Sequence, residues 1–435
     1  MMKTIDNLVI GAGIAGLGAA HDLQKRGLNV LLVEKELGPG GRMVSNEIDG
    51  LRVDTGAKFI ASFYQNINQL AEELQLEMCS LQFGEIGIKR DAKVYSFNPH
   101  NIRSIFQLGL ISNYAKLKLI LVFLRTLLDS RKVNLFHLEK SLDIDKEGLE
   151  PYLKRIGGEE VYNYILDPIC QSFFFYGPQD FSKIMFLGTL PKLLTVKYKS
   201  FTNGIGALTE KLARTLNIDY GVEVKLIKRV SDGVEVQMAK GTNIEWVKAK
   251  RVIIAVPGNK VLELLDQPEN YEREYFSGIE YVDLASVYFK GTTNLLDATA
   301  TVWFPRSQSK TFSALSKVDL NSKDFFNVKV RESALNDVQT NKRFLEESIS
   351  KELSVKDVKV ERIVRWSSAI PKLKSEHIRK TFEFKSKRPN NSSIFYCGDY
   401  LESPSTEGAL TSGLEVAKKI LNQAGVQPGF NVDNL

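Results

Sequence analysis

Residues Leu8 to Arg42, LVIGAGIAGLGAAHDLQKRGLNVLLVEKELGPGGR, restrict the fold more than any other stretch. Leu8-Val9-Ile10 is an apolar strand run, Gly11-Ala12-Gly13-Ile14-Ala15-Gly16 is a GxGxxG turn, and Leu17, Ala20 and Leu23 keep helical spacing. Gly27 stops that helix, and Asn29 to Val33 is a second strand ending at Glu34. Each part has a physical reason. Gly11 permits a tight turn, Gly13 lets backbone approach a pyrophosphate, and Gly16 allows close helix–strand contact. The helix start at Ile14 and Ala15 offers free N–H groups and a positive dipole end to phosphates. Glu34 lies 18 residues past Gly16, where a carboxylate holds ribose hydroxyls and repels a 2′-phosphate. The stretch predicts a doubly wound α/β fold that binds a dinucleotide other than NADP.

Other segments converge on the same ligand. Lys35 follows the ribose acid, and Gly40-Gly41-Arg42-Met43 returns to small residues with a cation that can pair with phosphate. Val222 to Ile227 and Val234 to Val236 alternate as strands, and Arg251 to Pro257 is a buried-strand run. The chain's end repeats the pattern: strand Ile394 to Cys397, then Gly398-Asp399, then Glu407-Gly408-Ala409 opening a helix with Leu410, Leu414, Ala417 and Leu421 on its apolar face. Free N–H groups at that helix start suit an acceptor that gains negative charge, as a flavin does on reduction.

The intervening stretches differ in composition. Residues 101–140 are apolar and basic, which suits ordinary helices packed in a helical domain, or else a surface that touches membrane or roofs an apolar channel. Phe173 to Tyr176 is a run of four aromatics that serves as core or lines a pocket for a flat, greasy substrate. Residues 270–385 carry strand-like runs at Ala285–Phe289, Thr299–Phe304 and Val358–Trp366, with a helix at Phe344–Leu353, and suggest a mixed sheet under the substrate. Trp366, Pro371 and His377 are expected in one loop.

A formal charge of +6, with 58 basic and 52 acidic residues interspersed, argues against a polyanion-binding tail and hence against nucleic acid. Cys79, Cys170 and Cys397 read as buried thiols of a reducing compartment. His21, His100, His137 and His377 lack zinc-ligand spacing, so no metal is expected. No signal peptide or membrane-spanning run is evident, so a cytoplasmic protein is expected, with peripheral membrane contact left open. The Asn390 and Asn391 sequons are then coincidental.

Four blocks resemble one superfamily: Gly11 to Glu34, Gly40-Gly41-Arg42, Asn203 to Pro257, and Gly398 to Gly413. They are similar to the FAD-dependent amine oxidase, protoporphyrinogen oxidase and phytoene desaturase group. The resemblance implies a Rossmann-like FAD-binding domain made of residues 1–75, 200–268 and 386–425. It also implies an α+β substrate domain, a mixed sheet plus a helical part, from 76–199 and 269–385. It gives Glu34 the adenosine ribose, sets Gly41 and Arg42 along the pyrophosphate and flavin, and puts Val224 on adenine. It further implies Asp399 near the ribityl–pyrophosphate linkage and Ala409 facing the flavin ring.

Within the superfamily, amine oxidases carry a lysine on the strand that falls here near Val282 to Tyr288, and none stands there. Their tyrosine two residues before the glutamate of the EGA motif is replaced by Ser405. The resemblance therefore implies hydride transfer from an apolar or aromatic substrate to FAD, as in protoporphyrinogen oxidases or desaturases, with oxygen or a quinone-like carrier as acceptor. An amine or amino-acid oxidase, and a non-redox FAD-dependent isomerase or mutase, are the rivals. Catalytic candidates are His377, Tyr176 and Trp366. Oligomeric state is left open.

Overall fold

The structure is a computed structural model that describes residues 2–426 apart from 82–83, 99–100, 108, 134–137, 194, 320–321, 339–341 and 390. His100, His137 and Asn390, singled out above, lie outside the described residues.

The chain begins with strand β1 (Lys3–Ile10), helix α1 (Ile14–Lys25) and strand β2 (Val30–Glu34). Helix α2 (Gln65–Glu73) precedes a hairpin, β3 (Ile86–Arg90) and β4 (Lys93–Phe97). A helical block follows, containing α3 (Asn113–Ser130), α4 (Leu149–Val161) and α5 (Lys183–Leu193). Next come β5 (Ile218–Tyr220) and a meander of β6 (Val222–Val230), β7 (Gly233–Lys240) and β8 (Asn243–Ile254). Strands β9 (Tyr281–Thr292), β10 (Thr301–Trp303), β11 (Phe312–Lys317) and β12 (Phe325–Val330) lead to α6 (Lys342–Leu353) and β13 (Lys356–Pro371). Helix α7 (His377–Lys387), strand β14 (Ile394–Tyr396) and helix α8 (Thr406–Gln423) complete it.

Two sheets organise these elements. In the first the order is β5-β2-β1-β8-β7-β6, with β14 beside β8. Strands β5, β2, β1, β8 and β14 run parallel, and β6-β7-β8 are antiparallel. Leu8, Val9 and Ile10 are almost wholly buried because both edges of β1 are paired and both faces covered. Ile10 is level with Val33 and with Ile254, and Ile254 with Tyr396. The residues that follow these strands, Gly11, Glu34's neighbours, Ala255 and Gly398, therefore emerge at one edge, where open α/β sheets hold ligands.

The second sheet has the order β13-β9-β12-β11-β10-β3-β4 and is antiparallel except where β10 meets β3. The helical block packs around it in one core that includes Leu119, Val122, Tyr152, Phe186 and Trp303. The fold is thus the expected mixed α/β type.

Local expectations fare unevenly. Trp366 and Pro371 lie on the long strand β13, and His377 opens α7, so no loop gathers them. Cys79 is exposed, while Cys170 and Cys397 are buried as expected. Helix α3 is not buried all round. Ala115, Leu119 and Val122 face the core, but Tyr114, Leu117, Leu121, Leu124 and Leu128 stay exposed. Among the described residues no helix is long and apolar enough to cross a membrane.

Candidate functional site

One cavity of about 2730 Å³ runs from the carboxyl ends of the first sheet to the face of the second. Ligand pockets commonly measure about 300–1,000 Å³, so this space admits an extended dinucleotide with a second molecule beside it.

The first end is built by the GxGxxG turn. Gly11 has φ +106°, a conformation that side chains rarely adopt, and its N–H donates to the Val33 carbonyl at 2.8 Å. This turns the chain from β1 into α1. Glu34 closes the turn from the neighbouring strand. Its carboxylate accepts from the Ala12 N–H at 2.6 Å and the Glu36 N–H at 2.9 Å, with further acceptor positions left over.

The fit of FAD can be tested at Gly13. A Cβ there would meet nothing within 4 Å, so the first turn of α1 presents bare backbone to the cavity. An open helix N-terminus, facing a ribose-type acid across a glycine turn, fits a pyrophosphate and its ribose. The residues present fit the group.

Gly11, Gly13, Ile14, Ala15, Glu34, Lys35, Gly41, Arg42, Met43, Val224, Gly398, Asp399, Glu407, Gly408 and Ala409 all line this cavity. Gly16 does not line it. A Cβ on Gly16 would lie 2.1 Å from the Gly11 carbonyl oxygen, so this glycine serves packing. Two of the lining residues have duties other than those expected. Arg42 is bidentate to Asp399, at 2.7 and 3.0 Å, and donates to the Ala369 carbonyl at 3.0 Å, so three of its five N–H donors are engaged by protein. Burial works against its charge, but Asp399 outweighs burial and holds it above its ordinary pKa. Glu407 accepts from the N–H groups of Gln65, Asn66 and Ile67 at 2.8–2.9 Å. It caps α2 and so pins the start of α8, where Ser405 accepts from the Gly408 N–H at 3.0 Å.

The far end has a polar floor and an apolar roof. Leu284, Tyr288, Asn327 and Lys329 face it from the second sheet, with Trp303 and Trp366. Trp366 is anchored by its Nε1–H, which donates to the Thr55 carbonyl at 2.9 Å. Phe173, Phe174 and Phe175 form the roof with Ile165, Ile169 and Met185. Phe175 holds φ +63°, uncommon for a bulky side chain, which turns its ring toward Lys329.

Two catalytic candidates lie away from this space. The Tyr176 hydroxyl donates to the Pro371 carbonyl at 3.3 Å inside the core. His377 Nε2 lies 2.8 Å from the Tyr400 carbonyl, and burial pulls its pKa below the usual value, so it is a neutral donor. Both side chains are spent on packing. Of the three candidates only Trp366 is a wall residue.

Lys58, Tyr288 and Lys329 also line the cavity and belong to none of the sequence motifs. A signal existed for Lys329. In FFNVKV, Phe326 and Val328 alternate with Asn327 and Lys329, so a strand with one apolar face carries an amide and a cation on the other. Among the described residues no cluster of His, Cys, Asp and Glu could hold a metal ion.

A family profile described as "Flavin containing amine oxidoreductase" matches residues 14–317. Mitochondrial protoporphyrinogen oxidase of Nicotiana tabacum is 29% identical over 163 residues, 37% of this chain and 31% of that protein. Prolycopene isomerase of Daucus carota is 37% identical over 82 residues, 18% of this chain and 13% of that protein. The chain thus spans less than a third of the length of these curated relatives. Among solved structures, a redesigned triple mutant of putrescine oxidase superposes with a TM-score of 0.78 at 16% identity, over 97% of this chain and 99% of that one. At that identity the likeness concerns the fold alone.

Proposed function

This chain belongs to the flavin-containing amine oxidoreductase family, and from that premise we propose that it oxidises an apolar cyclic or polyene substrate at a C–H bond, not an amine. FAD is its cofactor, and the chain is an FAD-dependent oxidoreductase. Glu34, Gly13 and the start of α8 would hold FAD, which would supply the two-electron acceptor. Oxygen or a quinone-like carrier would reoxidise it. The protein's part is to orient a flat body between Trp366 and the Phe173–Phe175 roof and to exclude water from it.

The observation that carries this reading is the sign of charge at the far end. Two lysines stand there, and the nearest acid, Asp54, is turned to the Ser45 hydroxyl at 2.6 Å and the Ile205 N–H at 2.9 Å. A protonated amine about 5 Å from one ammonium at an effective dielectric of about 20 is repelled by roughly 3 kcal/mol. Leu284 at the cavity wall, with no lysine between Val282 and Tyr288, supports the reading further.

The test is anaerobic mixing of FAD-loaded protein with candidate substrates while the flavin absorbance is followed. Bleaching by an apolar cyclic or polyene compound and none by amines is expected. Bleaching by amines with peroxide release in air would give the reaction to the amine oxidases. Conversion of a polyene without net bleaching would make the chain an isomerase, the activity named for the carrot relative.

The exposed stripe of α3 bears on substrate supply. Helix α3 packs against α5, whose Met185 and Leu190 reach the cavity. Lys116, Lys118, Arg125 and Arg131 flank the exposed leucines, a pattern that suits an anionic lipid surface. Burying a leucine contributes about 1.5–3 kcal/mol. Leu121→Glu with Leu124→Glu is therefore expected to lower co-sedimentation with phosphatidylglycerol vesicles by more than about tenfold. Wild-type protein that stays in the supernatant would remove the lipid surface from this account.

A further inference from the structure

We propose that Lys58 and Lys329 form a receptor for an organic carboxylate, so that the substrate is an apolar body carrying an acid group. The proposal deepens the reading of the far end as a substrate site and rests on it.

The two ammonium groups come from unrelated parts of the chain and meet in one wall. Lys58 donates to the Asp54 carbonyl and to the Tyr288 hydroxyl at 3.2 Å. Lys329 donates to the Ser286 hydroxyl at 2.5 Å and lies 5.5 Å from the centre of the Phe175 ring. Ser286 and Lys329 are paired across β9 and β12, and Tyr288 is paired with Asn327. The register thus sets one cation, two hydroxyls and an amide on one patch of floor, and Lys58 reaches the patch from outside the sheet through the Tyr288 hydroxyl.

Among the described residues no acid compensates Lys329, and Asp54 alone acts on Lys58. The charge that acts on Lys329 is a second positive one, Lys58, and burial together with that repulsion holds its pKa well below the usual lysine value. Burial brings Lys58 down to about 8, with Asp54 acting the other way. An ammonium taken from water without a counter-charge is costly, and two neighbours of one sign are worse. A core built only for stability would place apolar side chains there. The donors are satisfied when an anion enters. A carboxylate can accept from both lysines and the hydroxyls at once, while its hydrocarbon part lies under Phe173–Phe175. An amide of the same shape gains the apolar contact only.

Binding then has a proton signature. A carboxylate raises the pKa of both lysines, so complex formation takes up protons wherever either is partly deprotonated in the free protein. Affinity falls as pH rises through about 8, where Lys58 gives up its proton. Asp54, Tyr288 and the two lysines themselves are the titratable groups that face this patch.

The experiment uses FAD-loaded protein and three unreactive probes of one shape: 2-naphthoate, 2-naphthamide and 2-naphthylmethylamine. Binding is read from the flavin difference spectrum, and proton uptake from calorimetry in buffers of different ionisation enthalpy. The carboxylate is expected to bind at least tenfold tighter than the amide, with proton uptake, and the amine weakest. Lys329→Met is expected to abolish the preference for carboxylate while amide affinity and FAD content stay unchanged. Lys58→Met should act in the same direction and flatten the pH dependence near 8. Removing an uncompensated charge is not expected to lower the melting temperature, so these variants remain testable. Equal binding of carboxylate and amide overturns the receptor and leaves the apolar site standing. Failure of all three probes overturns both. Lys329→Met that loses FAD while keeping the carboxylate preference would make the lysine a flavin contact and overturn the proposal.

Discussion

Gly413→Val is expected to give a chain that melts far below the wild type and purifies without flavin. Helices α1 and α8 meet through small residues. A Cβ at Gly413 would lie 2.2 Å from the Ala15 carbonyl oxygen, and one at Gly18 would lie 2.3 Å from Leu410 Cδ1. The first clash is against backbone, which cannot swing aside as a side chain end can. Overpacking a core usually costs about 1–3 kcal/mol, and a clash with helix backbone belongs at or beyond the upper end. Against a total stability of about 5–15 kcal/mol that is a large loss. The displacement also separates the starts of α1 and α8, both of which line the cavity. Gly13→Ala is the matched control. Its φ is −74° and its Cβ would meet nothing within 4 Å, so the apo protein should melt normally. That methyl instead occupies the space a pyrophosphate needs, so FAD affinity should fall. Melting curves of apo protein and flavin content after purification check both. A Gly413→Val protein that stays yellow and melts with the wild type would show that α1 and α8 tolerate separation.

The two variants also mark what the sequence could and could not reveal. Residues Gly11 to Glu34 were legible because every requirement is local. A turn, a helix start and an acid at fixed spacing are set by neighbours in the chain. The same holds for Gly398 to Ala409. Arg42 was legible as a cation near the ligand, but its partner was not. Asp399 is 357 residues away, and only the register of β14 beside β8 brings it within reach. Glu407 reads as a ligand contact for the same reason. Nothing in the chain's order shows that the start of α2 needs an acceptor and that α8 supplies it.

His377 and Trp366 show the opposite failure. Nearness in sequence suggests one loop for both, yet β13 carries Trp366 to the cavity while α7 takes His377 into the core. Lys329 stands on β12, level with Ser286 of β9, and strand pairing is not written in either segment alone. The apolar stretch near residue 120 misled differently. A composition that is apolar almost all round suits a buried helix, but α3 buries one face only, and among the described residues the other face stays exposed.

Arg42→Ala is expected to destabilise the protein by about 3 kcal/mol. The figure takes the lower end of the 3–5 kcal/mol range for a broken buried pair, because 30% of the Arg42 side chain faces the cavity. Among the described residues Asp399 then keeps one long side-chain contact, the Tyr281 hydroxyl at 3.4 Å. The pair does more than neutralise charge. Arg42 follows the glycines opposite α1, Asp399 follows β14, and the carbonyl that Arg42 also holds, Ala369, belongs to β13. One guanidinium thus links the nucleotide-binding sheet to the sheet that forms the substrate floor. Arg42→Lys keeps the charge but loses the planar fork, so it should recover only part of the loss. The decisive measurement is a double-mutant cycle by denaturant unfolding of apo protein. Asp399→Leu alone leaves an unpaired guanidinium and should cost as much as Arg42→Ala. Arg42→Met with Asp399→Leu removes both charges together and should cost much less than the sum. Additive losses would mean that the pair, though bidentate, contributes no coupling between the two sheets.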